Sequence, residues 1–151
     1  MAGWNDLHRE EPEIASAGVR LLTGGPAYLA TVRKDGGPRV HPVMPVVAQV
    51  GLYVFVVNLG WKYHDLVREG RYALHSAPPP EGGEEFYVTG PASESKDPEE
   101  RAMVRAACDG RLCGHDFEAL FQFDVERALH TQWANWGTAE AWPTFRKWAA
   151  R

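Results

Sequence analysis

Ala27-Tyr28-Leu29-Ala30-Thr31-Val32-Arg33, then Lys34-Asp35-Gly36-Gly37, then Pro38-Arg39-Val40-His41-Pro42-Val43 is the stretch on which the fold turns. Apolar and polar residues alternate on both sides of an Asp-Gly step, the pattern of two antiparallel strands joined by a tight turn. Pro42 and Pro45 cannot donate to a sheet ladder, so the second strand is expected to be an edge or to carry a bulge there. Outward from this hairpin, Gln49-Val50-Gly51 reads as another turn, and Leu52-Tyr53-Val54-Phe55-Val56-Val57-Asn58 as a third strand. Trp61-Lys62-Tyr63-His64-Asp65-Leu66-Val67-Arg68-Glu69 reads as a short polar helix closed by Gly70. Arg71-Tyr72-Ala73-Leu74-His75 and Phe86-Tyr87-Val88-Thr89-Gly90 read as two more strands, separated by a Pro- and Gly-rich loop over residues 77–84.

The flanks are mostly helical in pattern. An N-terminal helix is expected over about residues 4–22, interrupted at Pro12, with Ile14, Val19, Leu21 and Leu22 on its apolar side. Ser95 opens a second helix that runs to about Cys108, with Pro98 in its first turn and Glu99 and Glu100 at its positive dipole end. Residues 119–132 read as one long strand, with Phe121, Phe123 and Val125 on one face, and residues 141–150 as a short C-terminal helix. Many short strands joined by hairpins point to a mainly β chain, an antiparallel barrel with a few short flanking helices, forming a single domain over residues 1–151. An open α+β sheet is the alternative.

Composition narrows the function. A chain of 151 residues fits one domain and can bury roughly two thirds of its unfolded surface. The net charge is -4 and no basic block exceeds two residues, which argues against a nucleic-acid partner. No apolar run approaches the ~18 residues of a membrane span. Met1-Ala2-Gly3-Trp4-Asn5-Asp6 lacks the basic and apolar regions of a secretory signal, so a cytoplasmic protein is expected, with Cys108 and Cys113 reduced. Those cysteines and His115 fall short of the four ligands of a structural zinc site, and no metal is expected. Phosphate-loop and GxSxG signatures are absent from the sequence.

Arg39 and Lys62 are the leading candidates for chemistry. Arg39 offers a planar fork of donors suited to a phosphate, and Lys62 a movable point charge at a helix start, where free N–H groups also favour an anion. His41 precedes a proline that leaves strand N–H and C=O groups unpaired, and such groups can meet the polar edge of a heterocycle. Trp61, Trp133 and Trp136 could stack on an aromatic ligand, while Trp142 and Trp148 read as packing for the C-terminal element.

The ordered series Ala30-Thr31-Val32, Asp35 to Val43, Val56-Val57-Asn58-Leu59-Gly60-Trp61-Lys62, Arg71 to Leu74 and Phe86-Tyr87-Val88-Thr89-Gly90-Pro91-Ala92 resembles the pyridoxamine 5'-phosphate oxidase-like, FMN-binding split-barrel proteins. The resemblance is strong over about residues 27–94 and weak elsewhere. It implies an antiparallel split β-barrel, a homodimer with cofactor sites at the interface, and an FMN-dependent oxidoreductase acting on a small molecule. Arg39 matches the residue that grips the FMN phosphate, and Lys62 the second phosphate ligand. Val40, His41 and Pro42 match the strand along the flavin ring, and Val56 and Val57 strand positions whose backbone faces the same cofactor. Trp61 adjoins that site as a stacking candidate. Glu85 falls where the partner subunit of the true oxidases offers a glutamine, a departure that places a carboxylate there. Trp133 falls near the family's C-terminal aromatic. The arginine and histidine pair that binds pyridoxal phosphate in the true oxidases has no counterpart in Trp133-Ala134-Asn135-Trp136-Gly137, so vitamin B6 oxidation is not implied. Members of the superfamily that use the deazaflavin F-420, or that bind flavin or haem without turnover, are the alternatives.

Overall fold

The structure, a computed structural model, describes residues 3–49, 51–108 and 113–151. The hairpin read from the sequence is present as β1 (Ala27–Val32) and β2 (Pro38–Val43). Gly36 takes the positive φ of +85° that the turn requires, and the Asp35 carboxylate accepts from the Gly37 N–H at 2.9 Å. Among the described residues β2 pairs only with β1, so it is an edge strand there, as expected. Pro38, Val40 and Pro42 share one parity of that strand. Proline has no N–H for β1, so this parity points its backbone nitrogens outward, and Val40 carries the one N–H among the three.

β3 (Val46–Ala48) and β4 (Gly51–Val57) form the next hairpin, pairing Ala48 with Gly51 across Gln49 at φ +46°. Val50, in the expected turn, lies outside the described residues. Pro45 stands between β2 and β3 rather than within the second strand, because β2 already ends at Val43. Then follow α3 (Trp61–Arg68), β5 (Arg71–Ser76) and β6 (Glu84–Ser95). The chain ends with β7 (Glu118–Phe123), β8 (Arg127–Ala134) and β9 (Trp142–Ala149).

All the pairings are antiparallel. The strands run β2-β1-β5-β6-β7-β4-β3, with β8 and then β9 added beside β6. The twelve residues of β6 join the two halves: its first part lies between β5 and β8, and Ala92 to Ser95 pair with β7. This division is the split of the barrel. At the bend, Gly90 is so close to the Asp124 carbonyl that a Cβ would be driven into it, and the Tyr72 hydroxyl donates to that carbonyl at 2.9 Å.

Two expectations are corrected here. Residues 119–132 are not one strand. The Asp124 and Glu126 N–H groups donate to Pro91 and Thr89 of β6, and this corner carries the chain from the β7 side of β6 to its β8 side. Residues 141–150 are not a helix but β9, which pairs with β8 over its whole length. The spacing of Trp142, Phe145 and Trp148 suits a helix, yet sheet pairing satisfies the backbone and puts Arg146 and Trp148 on one face. There Arg146 meets Glu13 and the Trp148 indole donates to Glu10, each at 2.8 Å. The helix expected from Ser95 is α4 (Pro98–Ala106), capped by Asp97, which accepts from the Glu99 N–H, while Ser95 still belongs to β6.

The N-terminal segment forms α1 (Trp4–Glu10) and α2 (Pro12–Thr23), broken at Pro12 as the sequence indicates. α2 packs on the sheet so closely that a Cβ at Gly18 would lie 2.5 Å from the Phe86 ring. Arg20 grips Glu84 through both oxygens, at 3.0 and 2.9 Å, and His130 contacts the same carboxylate at 2.8 Å. A second apolar cluster beneath α4 gathers Val46, Tyr53, Phe55, Val104 and Leu120. Cys108, at the end of α4, is joined to Cys113 by a disulfide, which corrects the expectation of reduced thiols. The Cα atoms stand 6.6 Å apart, within disulfide reach. No helix among the described residues is long and apolar enough to cross a membrane.

Candidate functional site

The register of the first hairpin places Thr31 opposite Arg39 and Leu29 opposite His41, on the face turned towards α3. Gly60 precedes α3 in an extended conformation and Gly70, at φ +77°, lets the chain leave it. The helix buries Leu66 as its apolar contact and, beside it, Asp65. The Asp65 side chain is 3% exposed. A carboxylate so placed is tolerable only when its oxygens are satisfied. One oxygen accepts from the Thr31 hydroxyl at 2.8 Å and from Arg39 Nε at 2.7 Å, and the other from Arg68 Nη2 at 3.2 Å. Burial acts to raise the Asp65 pKa, but the hydrogen bonds from Arg39, Thr31 and Arg68 outweigh it and hold the group below its ordinary value.

Asp65 therefore orients Arg39. Its Nε is spent on the carboxylate, the guanidinium lies 5.9 Å from the centre of the Trp61 ring, and the two terminal nitrogens remain to receive an anion. Lys62 follows Trp61 in the first turn of α3. Burial lowers its pKa, with Glu118 opposing the shift. His41 is also lowered, first by burial and then by Lys62 and Arg39, with Asp65 opposing, so its imidazole is neutral at pH 7. Its Nε2 is buried without a hydrogen-bond partner in the chain. A neutral ring with an orphaned nitrogen between two cations suits an anionic or heterocyclic ligand, and the residues present fit a phosphate-bearing cofactor.

Arg39, His41, Trp61 and Lys62 are thus brought together. Trp61 is 70% exposed there, whereas Val40, 61% exposed, and Pro42 alternate with Arg39 and His41 along β2, so their side chains lie on the other face of the sheet. Val57 ends β4 opposite Glu118, while Val56 is fully buried, so only its backbone is offered to a ligand. Glu85 and Trp133 lie elsewhere. They meet each other, the indole donating to Glu85 at 3.0 Å, and His75 stands 3.8 Å from the same carboxylate. The register puts Glu85 in line with Thr131 and Phe145 across β6, β8 and β9. That is the sheet face opposite Phe86, Val88 and α2, and three strands from β2. Trp136 packs edge-on against Trp133 and over Gly82. A single copy does not unite the two groups.

The sequence reading missed Thr31, Asp65 and Arg68. The available signal was the polar spacing Lys62, Asp65, Arg68 in a helix short of apolar residues, where a carboxylate three residues from each cation can pair with either.

No protein-family model matches the chain, and neither does any curated protein. Solved structures do match. A haem-binding protein from Mycobacterium smegmatis superimposes with a TM-score of 0.65 at 18% identity, over 89% of this chain and 58% of that one, so this chain spans little more than half its length. A NimC/NimA family protein from Clostridium acetobutylicum gives 0.63 at 19% identity, over 88% of this chain and 93% of that one. A protein provisionally assigned as a pyridoxamine 5'-phosphate oxidase, from Lactobacillus delbrueckii, gives 0.59 at 24% identity, over 74% and 89%. At these identities the likeness establishes the fold, and the chain is a split barrel of the pyridoxamine 5'-phosphate oxidase-like type.

Proposed function

We propose that the protein is an FMN-dependent oxidoreductase acting on a small molecule, a homodimer that holds its cofactor between two copies. The observation that carries this reading is the meeting of Arg39, Lys62 and the first turn of α3 with the unpartnered Nε2 of His41. Arg39 and Lys62 would hold the phosphate, and the outward N–H of Val40 and the His41 ring would meet the polar edge of the isoalloxazine. FMN, when bound, supplies the hydride or electron chemistry. The second copy is invoked because Glu85 and Trp133 stand on another face of the same sheet. Tyr28, Val40 and Phe145, each about half exposed or more, leave that face apolar enough for contact between copies.

A second reading is a flavin- or haem-binding module without turnover. It is favoured by the haem-binding protein among the structural neighbours. Use of F-420 in place of FMN is the third, since Arg39 and Lys62 would hold its phosphate equally well. The absorption spectrum of the purified protein, with mass analysis of whatever it releases on denaturation, separates the three. Flavin bands and an FMN mass are expected. A haem spectrum, or an F-420 mass, overturns the FMN assignment.

A further inference from the structure

The sheet ends in three strands, β2, β3 and β9, and they differ in what they leave unpaired. β2 carries two prolines and one outward N–H, that of Val40, and β3 is three residues long. β9 has eight residues and, among the described residues, pairs only with β8. In an antiparallel ladder, alternate residues turn both N–H and C=O to the same neighbour. Ala150 donates to the Glu126 carbonyl and shares the parity of Trp142, Thr144, Arg146 and Trp148, so these residues serve β8. Pro143, which has no N–H to give, falls in the other set with Phe145, Lys147 and Ala149. The N–H groups of Phe145, Lys147 and Ala149 and the carbonyls of all four therefore point away from the sheet, and none finds a hydrogen-bond partner among the described residues.

The side chains beside this edge set the sign of what can add to it. Residues 142–151 hold Arg146, Lys147 and Arg151 and no carboxylate, in a chain whose net charge is -4. Arg127 adds a further cation, on β8 opposite Ala149. On the helix side of the sheet Glu13 takes Arg146 and Glu10 takes the Trp148 indole. Lys147 points to the other face, exposed and without an ion-pair partner among the described residues. Glu126, the acidic residue at this margin, adjoins Ala150, beyond the end of the strand. Phe145, 54% exposed, shares the face of Lys147. A lysine at a sheet edge opposes pairing with a second copy, because two β9 strands side by side would gather their cations; the same charge favours a strand of opposite sign. We propose that the outer edge of β9 receives an extended acidic segment of a partner protein. The segment adds a strand to the sheet, sets a carboxylate against Lys147 and packs an apolar side chain beside Phe145. β9 lies at the far end of the sheet from β2, so the inference does not rest on the cofactor reading.

The test follows backbone amide resonances and their hydrogen exchange by NMR, at one low ionic strength. The probes are a capped pentapeptide of alternating glutamate and valine, its lysine counterpart, and the glutamate peptide with its backbone N-methylated. In the free protein the Arg146 and Trp148 amides should be protected and those of Phe145, Lys147 and Ala149 should exchange freely. The glutamate peptide is expected to shift and protect those three amides, and the other two peptides to bind at least about tenfold more weakly. Lys147 is exposed, so Lys147→Glu leaves the core intact. This variant should weaken the glutamate peptide about tenfold and strengthen the lysine peptide, a reversal that a folding defect does not produce. The absence of any effect of millimolar glutamate peptide at the three amides overturns the proposal, as does equal binding of the lysine peptide. Protection of the same amides in the free protein that grows with protein concentration also overturns it, and identifies a second copy as the occupant.

Discussion

Replacing Asp65 by Asn tests the organisation of the site at its base. The substitution keeps size and shape but removes the charge and turns one acceptor oxygen into an NH2 group, a donor facing guanidinium donors. Asp65 holds Arg39 at 2.7 Å and Arg68 at 3.2 Å, and a hydrogen bond to a charged group contributes about 1.5–3 kcal/mol. Taking one partner from a fully buried pair costs about 3–5 kcal/mol. The Arg39 and Arg68 side chains are 24% and 37% exposed, so water compensates part of that loss. The expected destabilisation is therefore ~2–4 kcal/mol, read from urea unfolding as a lower midpoint at an unchanged slope. Because the fold depresses the Asp65 pKa, its contribution is complete above the unfolded value, about 4, and is lost as pH falls through the folded value. The gap between wild type and variant should accordingly narrow at acid pH. Adding Arg39→Gln to Asp65→Asn should cost less than the sum of the single effects. A loss under ~0.5 kcal/mol at pH 7, or strict additivity with Arg39→Gln, refutes the reasoning.

Four further outcomes follow from the geometry. His41 is depressed in the fold, so the unfolded chain binds more protons between the folded value and about 6.5; stability should fall as pH drops below about 6.5, and His41→Gln should flatten that slope, measured by unfolding at a series of pH values. An anion bound beside His41 should raise its pKa, so phosphate binding takes up protons, a shift that imidazole NMR resonances report. Gly90→Ala forces a methyl into the Asp124 carbonyl at the β6 bend and should destabilise the protein by roughly 1–3 kcal/mol in the same unfolding assay, whereas a neutral result would mean that the corner yields. Thiol titration of the unreduced protein should find Cys108 and Cys113 blocked, and dithiothreitol should lower stability by about 2 kcal/mol, the loop-closure scale for so short a ring.

The legible part of the fold was local. The Asp35-Gly36 turn, the β4 run of apolar residues, the polar helix ending at Gly70 and the break at Pro12 are each written in neighbouring residues, and each is present. The misread parts depend on distant partners. The corner at Asp124 to Glu126 exists because β6 changes neighbours along its length, which no window around Phe121 reveals. Trp142 to Ala149 forms a strand because β8 offers an open edge and α1 and α2 offer Glu10 and Glu13, and both lie far away in sequence. The site divides in the same way. Arg39, His41 and Lys62 are recognisable as donors beside a proline-marked edge and a helix start. Asp65 looks like any polar helix residue until the hairpin folds Thr31 and Arg39 onto it. The disulfide was misread because compartment, not chain geometry, governed the expectation.

The central claim is that Arg39 and Lys62 form a seat for the phosphate of a flavin. Parallel fluorescence titrations with FMN and riboflavin, which differ only in that phosphate, test it most directly. Two charge-assisted contacts of about 1.5–3 kcal/mol each predict that FMN binds at least ~100-fold more tightly than riboflavin, and that Arg39→Gln removes most of the difference. Equal affinities for the two flavins, or an FMN preference untouched by Arg39→Gln, would contradict the account.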